Sequence, residues 1–150
     1  MPLTSSQAAV LKSSIQTDPT VSSFVAVADW VSVANNYNAN TSNLIWRQDL
    51  SPNAMLSAIV GVEAVARPTN ALLLAQMLLA APTIDATNQN VRQQFGAIFP
   101  ASSAASTSAN LTAVAQRGAT KYESLFITSQ VTSVYGYTLT PLDVQTAMGA

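Results

Sequence analysis

Lys121 lies three residues before Ser124, close enough on a helix for an amine and a hydroxyl to share a face. A Ser-Lys pair is a nucleophilic arrangement still open to a chain that has no His and no Cys. Serine is so frequent here that this spacing arises by chance, and an exposed helix would leave both groups in water. Glycoside chemistry needs two carboxylates at a set separation. Asp18 with Asp29, or Asp85 with Glu123, could be paired, but no surrounding pattern selects either. Asn36, Asn38 and Asn40 alternate as the first ligands of a calcium loop do. The nine residues from Asn35 to Asn43 nevertheless hold no carboxylate and no Gly, and Arg47 stands where a bidentate Glu belongs. The patterns G-x-x-x-x-G-K, G-x-G-x-x-G and G-x-S-x-G are all missing from the sequence. The residue inventory therefore predicts no catalytic residue, no cofactor and no metal site, and it points away from an enzyme.

Composition points toward a building block. Only 6 basic and 7 acidic residues occur among 150, so 9% of the chain is charged, against roughly 25% in an ordinary domain. The polar surface must then be built from Ser, Thr, Asn and Gln. Such a face loses little solvation when a partner covers it, whereas unpaired Lys or Glu is costly to bury. The cations Lys12, Arg47, Arg67, Arg92, Arg117 and Lys121 are scattered and the net charge is -1, which leaves no tract to gather phosphates. Specific nucleic-acid binding is not expected. The longest apolar stretch, Ala71 to Ala81, is interrupted by Gln76 and is too short to span a bilayer, and the N-terminus lacks a basic-then-apolar signal pattern. No membrane association is expected, and synthesis in the cytoplasm is.

The elements that would position these residues are mostly helical. Thr4 and Gln7 form a T-x-x-Q capping box ahead of Leu11 and Ile15, predicting a helix over 5–16. Asp18-Pro19 opens a second one whose residues Phe24, Val25, Val27, Trp30, Val31 and Val33 are apolar nearly all round, as in a central helix. The Asn-rich stretch 35–43 reads as a surface loop. Leu44 to Arg47 reads as extended, with Trp46 buried and Arg47 near Asp49. Ser51-Pro52 caps a short helix with Met55, Leu56 and Ile59 inward. Arg67-Pro68-Thr69 opens another, Leu72 to Ala81, apolar on most sides and hence core or interface. Thr87 or Asn88 caps a helix bearing Val91, Phe95, Ile98 and Phe99, which Pro100 ends.

After a polar loop over 101–108, the positions Leu111, Val114, Ala115, Gly118, Tyr122, Leu125 and Phe126 predict one long amphipathic helix, with Gly118 marking close backbone approach. Past Ile127 the pattern turns β-branched and aromatic: Val131, Val134, Tyr135, Tyr137 and Leu139 surround Gly136. That stretch either folds as a hairpin around Gly136 or offers its edge to another subunit, and the second reading is preferred. Thr140-Pro141-Leu142-Asp143 then caps a terminal helix with Val144 and Met148 inward.

Four segments in fixed order carry a resemblance: L-I-W-R-Q-D-L-S from Leu44, I-D-A-T-N-Q-N-V-R-Q-Q-F-G-A-I-F from Ile84, L-T-A-V-A-Q-R-G-A-T-K-Y-E-S-L-F from Leu111 and L-T-P-L-D-V from Leu139. Together they resemble a family of small, mostly helical virion proteins of tailed bacteriophages, over roughly Leu44 to Ala147. The resemblance implies a neck adaptor or head-tail connector subunit between portal and tail. It also implies a helical bundle whose extended C-terminal arm docks on the portal, repeated in a twelvefold ring. The helix Leu72 to Ala81 lacks the charges and tryptophans of that family's corresponding region, and the loop 101–108 is idiosyncratic.

The chain is accordingly expected to be mainly α, a helical domain over 1–127 followed by an extended arm with a short terminal helix over 128–150. The expected function is a virion structural protein bridging portal and tail as a homo-oligomeric ring. Its partners would be further copies of itself, the portal protein, and tail or neck proteins. Val131, Val134, Tyr135, Tyr137, Leu139, Val144 and Met148 are the expected interface residues. A tail or capsid accessory protein, or a small host-directed binding protein, are the alternatives.

Overall fold

Thr4 Oγ1 accepts the Gln7 N–H at 3.2 Å and Gln7 Oε1 accepts the Thr4 N–H at 2.8 Å, so the predicted capping box starts the first helix, α1 (Ser5–Thr17). The computed structural model describes residues 2–150, which are mainly α, with ten helices and four short strands. After α1 come α2 (Ser22–Ala26), α3 (Trp30–Asn38), β1 (Asn40–Trp46), α4 (Pro52–Ala58), α5 (Gly61–Val65) and α6 (Thr69–Leu79). They are followed by α7 (Gln89–Ile98), α8 (Ala105–Ala115), β2 (Gln116–Thr120), α9 (Lys121–Ser124), β3 (Ile127–Thr128), β4 (Val131–Thr132) and α10 (Pro141–Met148). The strand pairs are β1 with β2 and β3 with β4, the latter antiparallel with Ile127 opposite Thr132 and Thr128 opposite Val131.

Two compact units result, and they do not follow the expected split into 1–127 and 128–150. One combines Met1–Asn43 with Gly118–Ala150, and the other is Leu44–Arg117. The first unit buries Leu11, Ile15, Val21, Val33, Tyr37, Tyr122, Val134, Leu139 and Val144 in one core. There α10 packs on α1 and α3, so the C-terminal segment completes a core begun by the N-terminal one. The second unit has its own core of Leu50, Met55, Ile84, Phe95, Ile98, Phe99 and Leu111. In it α4 packs on α8, and α6 on α7.

Several elements differ from their sequence reading for local reasons. The expected second helix is two, α2 and α3. The chain breaks at Ala28, whose φ is 54°, and Asp29 caps α3 through the Ser32 N–H at 3.1 Å. The Asn-rich stretch is largely ordered structure rather than a loop, because α3 runs to Asn38 and β1 begins at Asn40. The long helix predicted over 111–126 stops at Ala115, whose carbonyl accepts the Arg47 N–H at 2.9 Å. Beyond it β2 is extended, and a Cβ added at Gly118 would stand 3.1 Å from the Thr41 carbonyl, so the close approach read from that glycine occurs on a strand. A second capping box, Thr120 with Glu123, then starts α9. Helix α8 begins at Ala105, inside the segment read as a loop. Its first N–H groups are met from a distance: Ser106 N–H and Thr107 N–H donate to the Glu63 carboxylate at 3.1 and 2.7 Å.

Helices α4, α7 and α10 begin where the caps predicted, whereas α5 was not expected and α6 starts at Thr69 without a side-chain cap. Ser51 Oγ accepts the Ala54 N–H ahead of α4, Asn88 Oδ1 accepts the Asn90 N–H ahead of α7, and Thr140 and Asp143 form the box ahead of α10. Trp46 is half-buried against the second core, and Arg47 Nε lies 3.4 Å from Asp49 Oδ1. Met55 is inward as expected, but Leu56 is exposed.

Candidate functional site

In the first unit, Lys121 opens α9 and its Nζ is held by α3 and the loop after α1. It pairs with the Asp18 carboxylate and donates to Asn36 Oδ1 at 2.7 Å and Thr20 Oγ1 at 3.0 Å. It also lies 4.8 Å from the centre of the Tyr37 ring. Burial opposes ionisation of Asp18, but hydrogen bonds from Lys121 and Thr20 and the Lys121 charge outweigh it and hold the carboxyl at about 2. Burial pushes the Tyr37 hydroxyl up to about 12, and its partner is Ser14 Oγ at 2.7 Å. Ser124 turns elsewhere: its Oγ donates to the Thr120 carbonyl at 2.9 Å and lies 3.1 Å from Thr41 Oγ1. The Lys121 amine and the Ser124 hydroxyl are therefore committed to different partners, and the candidate nucleophile pair is not assembled.

Glu123 is completely buried. Its Oε2 accepts the Thr120 N–H at 2.9 Å, its Oε1 accepts the Gly136 N–H at 2.7 Å, and its main-chain carbonyl accepts the Thr132 hydroxyl at 3.1 Å. One carboxylate thus ties α9 to the segment beyond the β3–β4 hairpin. Asn38 does the same for α3: its amide donates to the Leu139 carbonyl at 2.9 Å and its Oδ1 accepts the Leu139 N–H at 2.8 Å. Asn36 and Asn38 are thus spent on structural bonds. Among the described residues no three His, Cys, Asp or Glu side chains gather where a metal ion could sit. Asp18 and Asp29 each serve a turn or cap next to them, and Asp85 accepts from the Thr87 N–H and hydroxyl.

The expected interface residues in 128–150 lie in or against this core. Val134, Leu139 and Val144 are buried; Val131, Tyr135, Tyr137 and Met148 are half-buried. Tyr137 packs at 5.8 Å on the Tyr122 ring, which itself meets Phe126 edge-on at 5.3 Å. Burial raises the Tyr137 hydroxyl, and its hydrogen bond to the Asp143 carboxylate adds to the shift. The residues are apolar because they complete a core, so Val134, Leu139 and Val144 are corrected from interface to interior. Nor does the segment form a hairpin at Gly136: the hairpin turns at Ser129 and Gln130, both at positive φ, two residues from where the β-branched run begins.

In the first unit Val27 and Val31, read as part of a central helix, are exposed, and in the second unit Leu56, read as inward, is exposed together with apolar residues of α5 and α6. Leu56 on α4, Val62 and Val65 on α5, and Leu73 and Met77 on α6 are 59, 76, 82, 55 and 74% exposed. Only Ala75 of α6 is buried. Beside this face lies an apolar groove of about 420 Å³ lined by Leu56, Ile59, Leu72, Leu73, Gln76 and Leu79. A smaller cavity of about 90 Å³ opens into the same unit's core between Trp46, Phe95, Phe99 and Leu111. Arg92 stacks over Trp46 at 4.6 Å and donates to the Ala86 and Thr87 carbonyls at 2.6 and 2.8 Å, so its guanidinium anchors the loop before α7. The all-round apolar pattern of Leu72 to Ala81 was the signal for the exposed face; periodicity alone left core and interface equally open.

Among the described residues no helix is long and apolar enough to cross a membrane. Comparison with protein-family models, with curated proteins and with solved structures finds no match for this chain.

Proposed function

We propose that this chain is a non-enzymatic assembly subunit of a virion, and specifically a neck adaptor of the head-tail connector kind, as the four-segment resemblance implies. The observation that carries the assembly role is the α4–α6 face. Five large apolar side chains stand more than half exposed on helices whose single charged residue, Glu63, is occupied at the start of α8. Such a surface is a better interface than solvent boundary, because covering it removes apolar area from water at almost no electrostatic cost. The low charge of the whole chain supports the same reading.

In this reading the subunit works by geometry, repeating around the portal as a ring, with twelve copies as the expected number, and contacting tail or neck proteins on its far side. A bundle with a free arm is the form the resemblance implies. Burial of Val134, Leu139 and Val144 favours contacts made through the folded surface, since releasing 128–150 would open the first core. Mixing the full chain with the portal ring of the same genome and weighing the product by native mass spectrometry tests the role. A complex in a fixed multiple, twelve in the simplest case, is the expected result. A folded protein that leaves the portal ring bare would remove the neck placement and favour a tail or capsid accessory role.

A further inference from the structure

We infer that the cavity walled by α4, α7 and α8 in the second unit is a binding site for a small carboxylic acid whose apolar body is no larger than one ring. The assembly reading neither needs this site nor depends on it. The cavity holds about 90 Å³ between Trp46, Met55, Ile84, Phe95, Phe99 and Leu111, so it offers an apolar body the same surroundings as the core behind it. A dry apolar cavity of about 150 Å³ accommodates a benzene ring. The smaller volume here, open on one side, takes one ring or a branched aliphatic chain and leaves the polar end of the molecule at the opening.

Arg92 says what that end is. Its guanidinium lines the cavity 4.6 Å from the centre of the Trp46 ring, and Nη1 donates to the Ala86 and Thr87 carbonyls. The side chain is therefore fixed before any ligand arrives. Among the described residues its Nε and Nη2 nevertheless have no hydrogen-bond partner, and no carboxylate pairs with it. That edge presents parallel N–H donors, the complement of a carboxylate that accepts two of them side by side. Gly96 is an independent observation. It lies inside α7, where glycine is less favourable than alanine, and it is not at positive φ. A Cβ added there would meet no atom within 4 Å, so neither backbone conformation nor packing requires a glycine. Gly96 lines the cavity, and what its missing side chain leaves is open space in the wall.

Benzoate is the probe, with benzyl alcohol to supply the ring without the charge and acetate the charge without the ring. The chain has 2 Trp, so its nuclear magnetic resonance spectrum carries one indole N–H signal from the site and one from Trp30 in the first unit as an internal control. Benzoate should shift the Trp46 signal alone and reach half-saturation at a concentration about 10-fold below that of benzyl alcohol, while acetate shifts neither signal. Arg92→Gln should raise the half-saturation of benzoate to that of benzyl alcohol and leave the latter unchanged, which a general loosening of the loop before α7 would not do. Gly96→Leu, which sets a side chain into the open space of the wall, should abolish both titrations without lowering the melting temperature. An unmoved Trp46 signal, or equal shifts at Trp30 and Trp46, would overturn the inference, as would a Gly96→Leu chain that binds benzoate like the unmodified one. Equal affinity for benzoate and benzyl alcohol would overturn the acid as the ligand.

Discussion

At the scale of single residues, the first unit is held by polar side chains that reach across the sequence. Asn38 and Glu123 each satisfy two main-chain groups, and Lys121 joins Asp18, Thr20, Asn36 and the face of Tyr37. Their ionisation defines a pH profile. Asp18 sits near 2 rather than its usual 3.8, so its contribution is complete above about pH 4 and is lost as the pH falls toward 2. Tyr37 and Tyr122, both raised by burial to about 12, contribute fully below about pH 10 and lose that contribution as the pH rises toward 12. With no His in the chain, thermal stability should be flat between pH 5 and about 9. Asp18→Asn, which keeps an oxygen for Thr20 but gives up the ion pair, should lose about 1 kcal/mol at pH 7 and almost nothing at pH 2. Thermal melts of both proteins across that range decide it, and parallel acid limbs would mean that the Lys121 pair contributes no stability.

At the scale of elements, the caps explain most helix starts, and local strain marks the turns. The β3–β4 hairpin turns through Ser129 and Gln130 at φ 52° and 61°, the left-handed pair that favours Asn-Gly. Gln130→Gly should therefore stabilise the protein by about 0.5–1 kcal/mol, read as a higher urea midpoint at unchanged slope. A lower midpoint would show that the Gln130 side chain contributes more than its backbone strain costs. Capping boxes were legible because both partners lie within four residues. The box at Thr120 was equally written in T-K-Y-E, yet the apolar stripe through Gly118 masked it, since a helix-period pattern continues across 111–126. Glu63 at the start of α8 was not legible at all: its partners Ser106 and Thr107 are more than forty residues away.

At the scale of the whole molecule, each unit has a core of its own, and the first is discontinuous in sequence. Truncation after Ile127 removes Val134, Leu139, Val144 and Ala147 from that core. It should unfold the first unit rather than free a stable helical domain, and circular dichroism would show a loss of helix well beyond the eight residues of α10. The contiguous piece 44–117 contains every residue of the second core and should keep a cooperative thermal transition alone. A truncated chain that retained its remaining helices would restore 128–150 to the status of an arm.

The sequence by itself determined the mainly α character, the positions of α1, α4, α7 and α10, the extended Leu44 to Trp46, and the scarcity of charge, because caps, proline stops and composition are local properties. Only the tertiary structure decided which apolar residues are inside. An apolar stripe records that a face avoids water, not what covers it. Thus Val134, Leu139 and Val144, read as interface, are interior, while Leu56, Leu73 and Met77, with the same chemistry, are on the surface. The difference lies in which distant segment arrives to pack: α1 and α3 reach α10, and within the second unit no segment covers the outer ridge of α6.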